Sequence, residues 1–222
     1  MKQVPVITID GPSGVGKGTL AQKLVEKLGF HFLDSGAIYR ALAWGVLQQN
    51  LDPEDTAAVV ALARDLPVRF EAGRIWFADT DITTAIRTEG VAAMASKVAA
   101  IPQVREALLA RQRDFVQSPG LVADGRDMGT VVFPEAQVKL FLDASAPVRA
   151  QRRYNQLINQ GVDANIDQIV REIEARDDRD RNRTVAPLKP AEDAFVIDTS
   201  HLSLDEVVAQ ACEVMRAKGI NC

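Results

Sequence analysis

Val6 to Thr19 reads VITIDGPSGVGKGT. A β-branched run leads into Gly11-Pro12-Ser13-Gly14-Val15-Gly16-Lys17-Gly18-Thr19, and an amphipathic helical pattern follows. That order is the context a phosphate-binding loop requires. Glycines let the backbone wrap so that several N–H groups converge on phosphate oxygens, and the helix N-terminus adds partial positive charge. Lys17 reaches the β- and γ-phosphates as a point charge, while the Thr19 hydroxyl suits a metal ion or a phosphate.

Outward from this loop, four more short apolar runs occur at Phe30 to Leu33, Leu121 to Ala123, Val138 to Leu142 and Phe195 to Ile197. With the first, at Val4 to Ile9, they read as strands of a parallel sheet covered by helices. Leu20, Leu24 and Leu28 recur at four-residue steps before Gly29, a helix stop. The last helix opens with Ser203 and Glu206 in capping-box spacing and repeats Leu204, Val207, Val208, Ala211 and Met215 on one face. This alternation predicts a doubly wound α/β core. Between Gly36 and Gly120 the interval is too long for a loop and must hold a subdomain. Within it, Leu66 to Thr83 predicts a small antiparallel sheet turning at Ala72-Gly73. Ser145 to Asn165 reads as helical, rich in Arg and amides, interrupted at Gly161.

Composition narrows the class. The 222 residues are 47% hydrophobic and 25% charged, ordinary for a soluble enzyme with one substantial core. A net charge of -4 argues against nucleic-acid binding through bulk charge. No apolar run approaches the roughly 18 residues that span a bilayer, and MKQVPVITID lacks a secretory signal's apolar core. Only His31 and His201 are present, which excludes chemistry needing several histidines. Cys212 and Cys222 have no metal-like spacing, and Cys212 falls in a helical apolar pattern, so both are expected unpaired. The expected setting is cytoplasmic, with no nucleic-acid polymer, no membrane and no disulfide.

Function depends on what lies opposite the γ-phosphate. Ser35 and Arg40 follow the second core run across a helix start, where both can address one anion. The third core run ends in Asp124-Gly125-Arg126-Asp127. Asp124 is placed to hold Mg²⁺ directly or through water. Arg126 and Asp127 offer a donor and an acceptor to a second substrate. Arg176 to Arg183 reads RDDRDRNR. A solvated, self-paired face is the ordinary explanation for such a run. Yet Arg176, Asp180 and Arg183 fall on one stripe, where Asp180 would orient both guanidinium groups towards phosphate. Arg149, Arg152 and Arg153 cluster after Pro147, either as a lid over a nucleotide or as an exposed charged helix.

With these residues in view, the sequence resembles the bacterial cytidylate kinases along essentially its whole length. The matching segments are ITIDGPSGVGKGT, LDSGAIYR, SKVAAIPQVREALLARQR, ADGRDMGTVVFP, KLFLDAS and RDDRDRNRTVAPL. Gly18, standing where Ser or Thr is usual in the loop, is itself similar to nucleoside-monophosphate kinases. The resemblance implies a single domain over residues 1–222 with a P-loop NTPase-like five-stranded parallel core (residues 1–37 and 119–222). It adds a monophosphate-binding region (38–118) carrying the small antiparallel sheet, and a short helical lid (149–165). It implies ATP as donor, CMP or dCMP as acceptor, Mg²⁺, and a monomer. Gly11 to Thr19 would bind the ATP phosphates, and Ser35, Arg40, Ser96, Arg105, Arg126, Asp127, Arg176, Asp180 and Arg183 would bind CMP. Among these, Ser96, Arg105 and Asp127 would address cytosine, Asp180 with Arg176 the sugar, and Arg40, Arg126 and Arg183 would clamp the phosphate. Lys17, Arg126, Arg183 and Arg153 would serve phosphoryl transfer. The competing readings are a kinase of another small acceptor (AMP, UMP or an alcohol) and a nucleotide-dependent switch; no NKxD-type guanine reader supports the latter.

Overall fold

Val6–Asp10 forms the first strand, β1, in a computed structural model that describes residues 4–71 and 73–222. All five of its residues are buried, the polar Thr8 and Asp10 included, as in a strand covered on both faces. The chain continues through α1 (Lys17–Leu28), β2 (His31–Asp34), α2 (Ser35–Gln48), α3 (Thr56–Arg64), β3 (Val68–Glu71), β4 (Arg74–Phe77) and β5 (Thr80–Asp81). Next come α4 (Glu89–Val98), α5 (Pro102–Arg113), β6 (Leu121–Gly125), a π-helical turn (Met128–Val132) and β7 (Val138–Asp143). The chain closes with α6 (Ala146–Asn159), α7 (Ile166–Asn182), β8 (Phe195–Asp198) and α8 (Leu204–Ala217).

These elements fall into two compact units, residues 34–114 and the remainder of the chain. The remainder carries a five-stranded sheet in the order β2-β6-β1-β7-β8. Its strands run parallel where β1 meets β6 and β7 and where β7 meets β8. All five strands fall on the five apolar runs. Ile7, Ile9, Leu20, Leu24, Leu140 and Met215 belong to one buried cluster joining the sheet to α1 and α8. α1 ends where expected, at Gly29 with φ 65, a left-handed conformation that a side chain would strain. Ser203 and Glu206 form the full capping box of α8. Leu204 is the exception on that helix: 37% exposed, it faces a cavity instead of the core.

The cysteines correct the sequence reading. Cys212, 3% exposed, is joined to Cys222 in a disulfide. Beyond α8, Gly219 takes φ 79 and Ile220 N–H donates to Met215 O at 2.9 Å. This reversal returns the chain along the helix and sets the two Cα atoms 5.2 Å apart, a normal bridging separation. A spacing of ten residues carried no sign of that reversal.

The unit of residues 34–114 packs α2 against α3 and α4, and α3 against α5. Its sheet is three-stranded and antiparallel, in the order β3-β4-β5. Gly73 in the expected turn has φ 74, while its partner Ala72 lies outside the described residues, as do Met1 to Gln3. Phe77 of β4 sits over Gly45, where an added Cβ would come within 2.8 Å of the ring, and it meets Trp44 at 5.0 Å. Arg111 of α5 donates to Leu66 O at 2.8 Å and Val68 O at 3.1 Å, fixing the approach to β3.

Candidate active site

At the C-terminal end of β1, Gly11 has φ 148, and a Cβ there would lie 2.2 Å from Leu142 O. Only glycine lets the loop pass this close to β7. Gly16, at φ 95, is the N-cap of α1, and no side chain caps that helix. Its first N–H groups therefore face the loop as an anion-binding end. Lys17 is 7% exposed and donates from Nζ to Pro12 O at 2.9 Å, folded back over the loop. Burial first, then the positive charges of Arg126 and Arg176, push its pKa down to about 7, against the opposing pull of Asp124 and Asp10. Asp10, 4% exposed, is pushed up to about 7 by burial despite accepting from two backbone N–H groups. Burial thus disfavours the charged form of each group, and an incoming phosphate would favour the charged lysine.

Asp124 closes this pocket from β6. A Cβ built on Gly18 would lie 3.6 Å from Asp124 Oδ2, so the carboxylate stands beside the first turn of α1. A carboxylate next to a hydroxyl-bearing turn, Thr19, is an oxygen donor set that fits Mg²⁺.

Two acid–arginine pairs lie just past β6. Arg126 Nε donates to Asp180 Oδ2 at 3.1 Å. Arg183 Nη2 lies 3.9 Å from Asp127 Oδ1, and both side chains are almost fully buried. Arg176 and Asp180 lie on α7 as expected, but Arg183 is the C-cap beyond it, with extended backbone at ψ 142. The guanidinium that Asp180 holds at 3.1 Å comes from the end of β6. The sequence stripe alone could not show this crossing. Arg176 adds its charge to the field at Lys17.

The arginines of α6 separate into different roles. Arg149, 2% exposed, is a structural clasp: it donates to Ala144 O at 2.9 Å, Ser13 O at 3.1 Å and both carboxylate oxygens of Asp177. It therefore joins the loop, α6 and α7. Arg152 donates to Thr199 Oγ1 at 3.0 Å and to Thr199 O. Arg153 Nη1 donates to Gln156 Oε1 at 3.0 Å. Arg152 and Arg153 line a cavity of about 390 Å³ together with Gly14, Gly16, Thr19 and Leu204. Thr199, 2% exposed, has no neighbour in any motif and was not singled out in the sequence.

In the unit of residues 34–114, Asp34 caps α2 by accepting from Ala37 N at 2.9 Å. Its Oδ2 lies 3.9 Å from Arg40 Nη2, so Arg40 turns back over the helix start. Ser35, 3% exposed, donates to Gln112 Oε1 at 2.6 Å. Gln112 lies within the matching segment SKVAAIPQVREALLARQR but was not itself singled out. Ser96 and Arg105 are both 8% exposed. Arg105 Nη1 donates to Ala99 O at 3.0 Å, and its guanidinium lies 5.4 Å from the ring of Tyr39.

A buried lysine inside a glycine-walled loop, with carboxylates and arginines gathered past the neighbouring strand, belongs to a P-loop phosphotransferase. The cytidylate kinase family model matches residues 7–217. The chain belongs to the cytidylate kinase family. It is 59% identical to a cytidylate kinase from Aeromonas hydrophila, over 93% of this chain and 92% of that one. A cytidylate kinase from Pasteurella multocida is also 59% identical, over 93% and 92% respectively. Among solved structures, a gluconokinase from Sinorhizobium meliloti 1021 aligns at a TM-score of 0.47 and 15% identity, over 98% of this chain and 94% of that one.

Proposed function

We propose that this chain transfers the γ-phosphate of ATP to CMP or dCMP, giving CDP or dCDP and ADP by direct in-line displacement. The observation that carries this reading is the buried Asp127 carboxylate, held beside Arg183 and one residue from Arg126. A base that presents an amine donor beside acceptors suits a carboxylate with neighbouring guanidinium groups. Uracil would set its O4 acceptor against the same carboxylate, so the pair rejects it.

Gly11 to Thr19 hold the ATP phosphates, and Lys17 supplies the charge that neutralises them. Thr19 and Asp124 hold Mg²⁺, which supplies charge neutralisation to the phosphates when bound. Arg40, Arg126 and Arg183 clamp the acceptor phosphate, Arg126 and Arg183 also serve the transferring phosphoryl group, and Arg153 reaches the donor from α6. Ser35, Arg40, Ser96, Arg105, Arg176 and Asp180 complete the CMP site. Residues 38–118 are the monophosphate-binding region and 149–165 the lid, whose closure excludes water from the reaction. Among the described residues no helix is long and apolar enough to cross a membrane. The enzyme works as a monomer in the cytoplasm on these small substrates, without a nucleic-acid or membrane partner.

The test is ADP formation from ATP and Mg²⁺ with CMP, dCMP, UMP and AMP offered separately. Fast turnover with CMP or dCMP and weak turnover with UMP is the expected outcome. Preference for AMP or UMP would overturn the acceptor assignment and leave the loop chemistry standing.

A further inference from the structure

Asp10 is the last residue of β1 and directly precedes the phosphate loop, yet its side chain serves a different segment. Its register partner in β6 is Gly125. The chain leaving β6 passes through Arg126 and Asp127 and then winds into the turn Met128–Val132. The first N–H groups of such a turn have no partner within it. Asp10 Oδ1 accepts from Met128 N and Oδ2 from Gly129 N, each at 2.8 Å. The other end of the same constraint is Asp127 itself, whose carbonyl accepts from Val131 N at 2.9 Å and Val132 N at 3.1 Å. The backbone around Asp127 is thus held on both sides, and its φ of -141 and ψ of 25 follow.

Only a carboxylate presents one acceptor to each of two adjacent N–H groups. Burying it is a costly way to cap a turn when Ser, Thr or Asn would cap one donor in neutral form. Burial pushes Asp10 up to about 7, so the site retains the carboxyl against that pressure. What this arrangement secures is the placing of the next side chain along, Asp127, 3% exposed and facing Arg183.

We infer that Asp10 is a positioning residue for acceptor-base selectivity: it fixes the turn at Met128-Gly129 and thereby aims the Asp127 carboxylate at the acceptor's base. This role rests on the assignment of Asp127 to that base. It links the strand that carries the donor loop to the residue that discriminates acceptors, with no contact between Asp10 and the acceptor itself.

The experiment measures kcat and KM for CMP, UMP and ATP on the whole enzyme, comparing wild type, Asp10→Asn and Asp127→Ala. Asp10→Asn keeps the shape and one acceptor oxygen but sets an amide against the second N–H. It is expected to raise the KM for CMP and to lower the CMP-to-UMP ratio of kcat/KM, each about tenfold, the scale of one misplaced hydrogen bond. The KM for ATP stays within about twofold. An unchanged CMP-to-UMP ratio in Asp10→Asn, alongside a lowered one in Asp127→Ala, overturns the role of Asp10 alone. So does an equal fall for both acceptors with a raised KM for ATP, the pattern of a loop that has merely lost its shape. An unchanged ratio in Asp127→Ala removes the base assignment and the role of Asp10 with it. If Asp10→Asn does not fold, Gly129→Ala carries the test. Its Cβ would meet Thr8 Oγ1 at 2.9 Å and Lys139 Cδ at 3.2 Å, displacing the same turn with Asp10 intact. The same loss of selectivity is expected, and an unchanged ratio overturns the inference.

Discussion

Arg126 Nε donates to Asp180 Oδ2 across 3.1 Å, joining the exit of β6 to the last turn of α7 over a separation of 54 residues. The Arg126 side chain remains 20% exposed, so part of the guanidinium stays open to a ligand while the carboxylate sets its direction. A donor fork aimed before substrate arrives loses less entropy when the transition state forms.

Replacing Arg126 with Ala is therefore expected to lower kcat for CMP by about 10³-fold, the scale of a lost transition-state arginine. Asp180→Ala leaves Arg126 present but unaimed and lowers kcat/KM by less. In a double-mutant cycle on kcat/KM the two changes are expected to couple by about 1–3 kcal/mol. Additive losses would show that the two residues act separately.

Lys17 gives a pH-dependent prediction. Its pKa is pushed down to about 7 by burial and by Arg126, and bound phosphate oxygens would raise it again. At about pH 8, ATP binding should then take up protons. Calorimetry in buffers of different ionisation enthalpy reads that uptake, which disappears in Lys17→Met. ATP affinity should weaken as pH rises above about 7.

The same shift sets the sign of a stability effect. A lysine with a depressed folded pKa contributes stability that is complete above its unfolded value of 10.5 and is lost as pH falls through about 7. Lys17→Met removes a charge that the fold disfavours in acid. The variant should therefore resist denaturant better than wild type near pH 6, with the difference shrinking towards pH 10. Asp10 acts in the opposite direction: the stability it contributes is present below its unfolded value of 3.8 and lost as pH rises through about 7.

Arg149 and Asp177 form a buried clasp with side chains 2% and 15% exposed. Arg149→Met leaves the Asp177 carboxylate without its guanidinium and also frees Ser13 O and Ala144 O. A loss of about 3 kcal/mol is expected in urea unfolding. Asp177→Asn keeps the shape and should cost less, so equal losses would argue that packing and not pairing holds α6 to α7.

The Cys212–Cys222 bridge is expected to appear as a cross-linked peptide in protein prepared without reductant. Reduction should lower stability by about 2–3 kcal/mol, the range for a short closed loop. In a reducing cytoplasm the pair would stand as thiols, and Cys212, on the buried face of α8, would still pack as a small apolar side chain.

The elements that were legible in advance are those whose cause lies within a few residues. The glycine-rich loop, the stop of α1 at Gly29 and the capping box at Ser203 and Glu206 all depend on backbone geometry or on partners within one turn. The central strands β1, β6 and β7 were legible because both of their faces are covered, which leaves mostly apolar runs. The edge strands β2 and β8 also read as apolar runs, yet only Leu33 and Ile197 are buried in them. Leu204 misled because the first turn of α8 borders a cavity, a boundary that periodicity cannot report.

Sequence by itself determined the phosphate loop, the order of strands and helices, and the inventory of arginines and carboxylates. Tertiary structure decided which of those charges meet. Asp10 reaches 118 and 119 residues onward to two N–H groups, Asp180 takes Arg126, and Arg149 takes Asp177. In the segment RDDRDRNR, Arg181 stands at helical spacing from both Asp177 and Asp178, and Asp180 has both Arg176 and Arg183, so several pairings are open on paper. The choice is made when the parallel sheet sets β6 beside β1, bringing the end of one strand to the end of the other. Burial then makes each unpaired alternative costly.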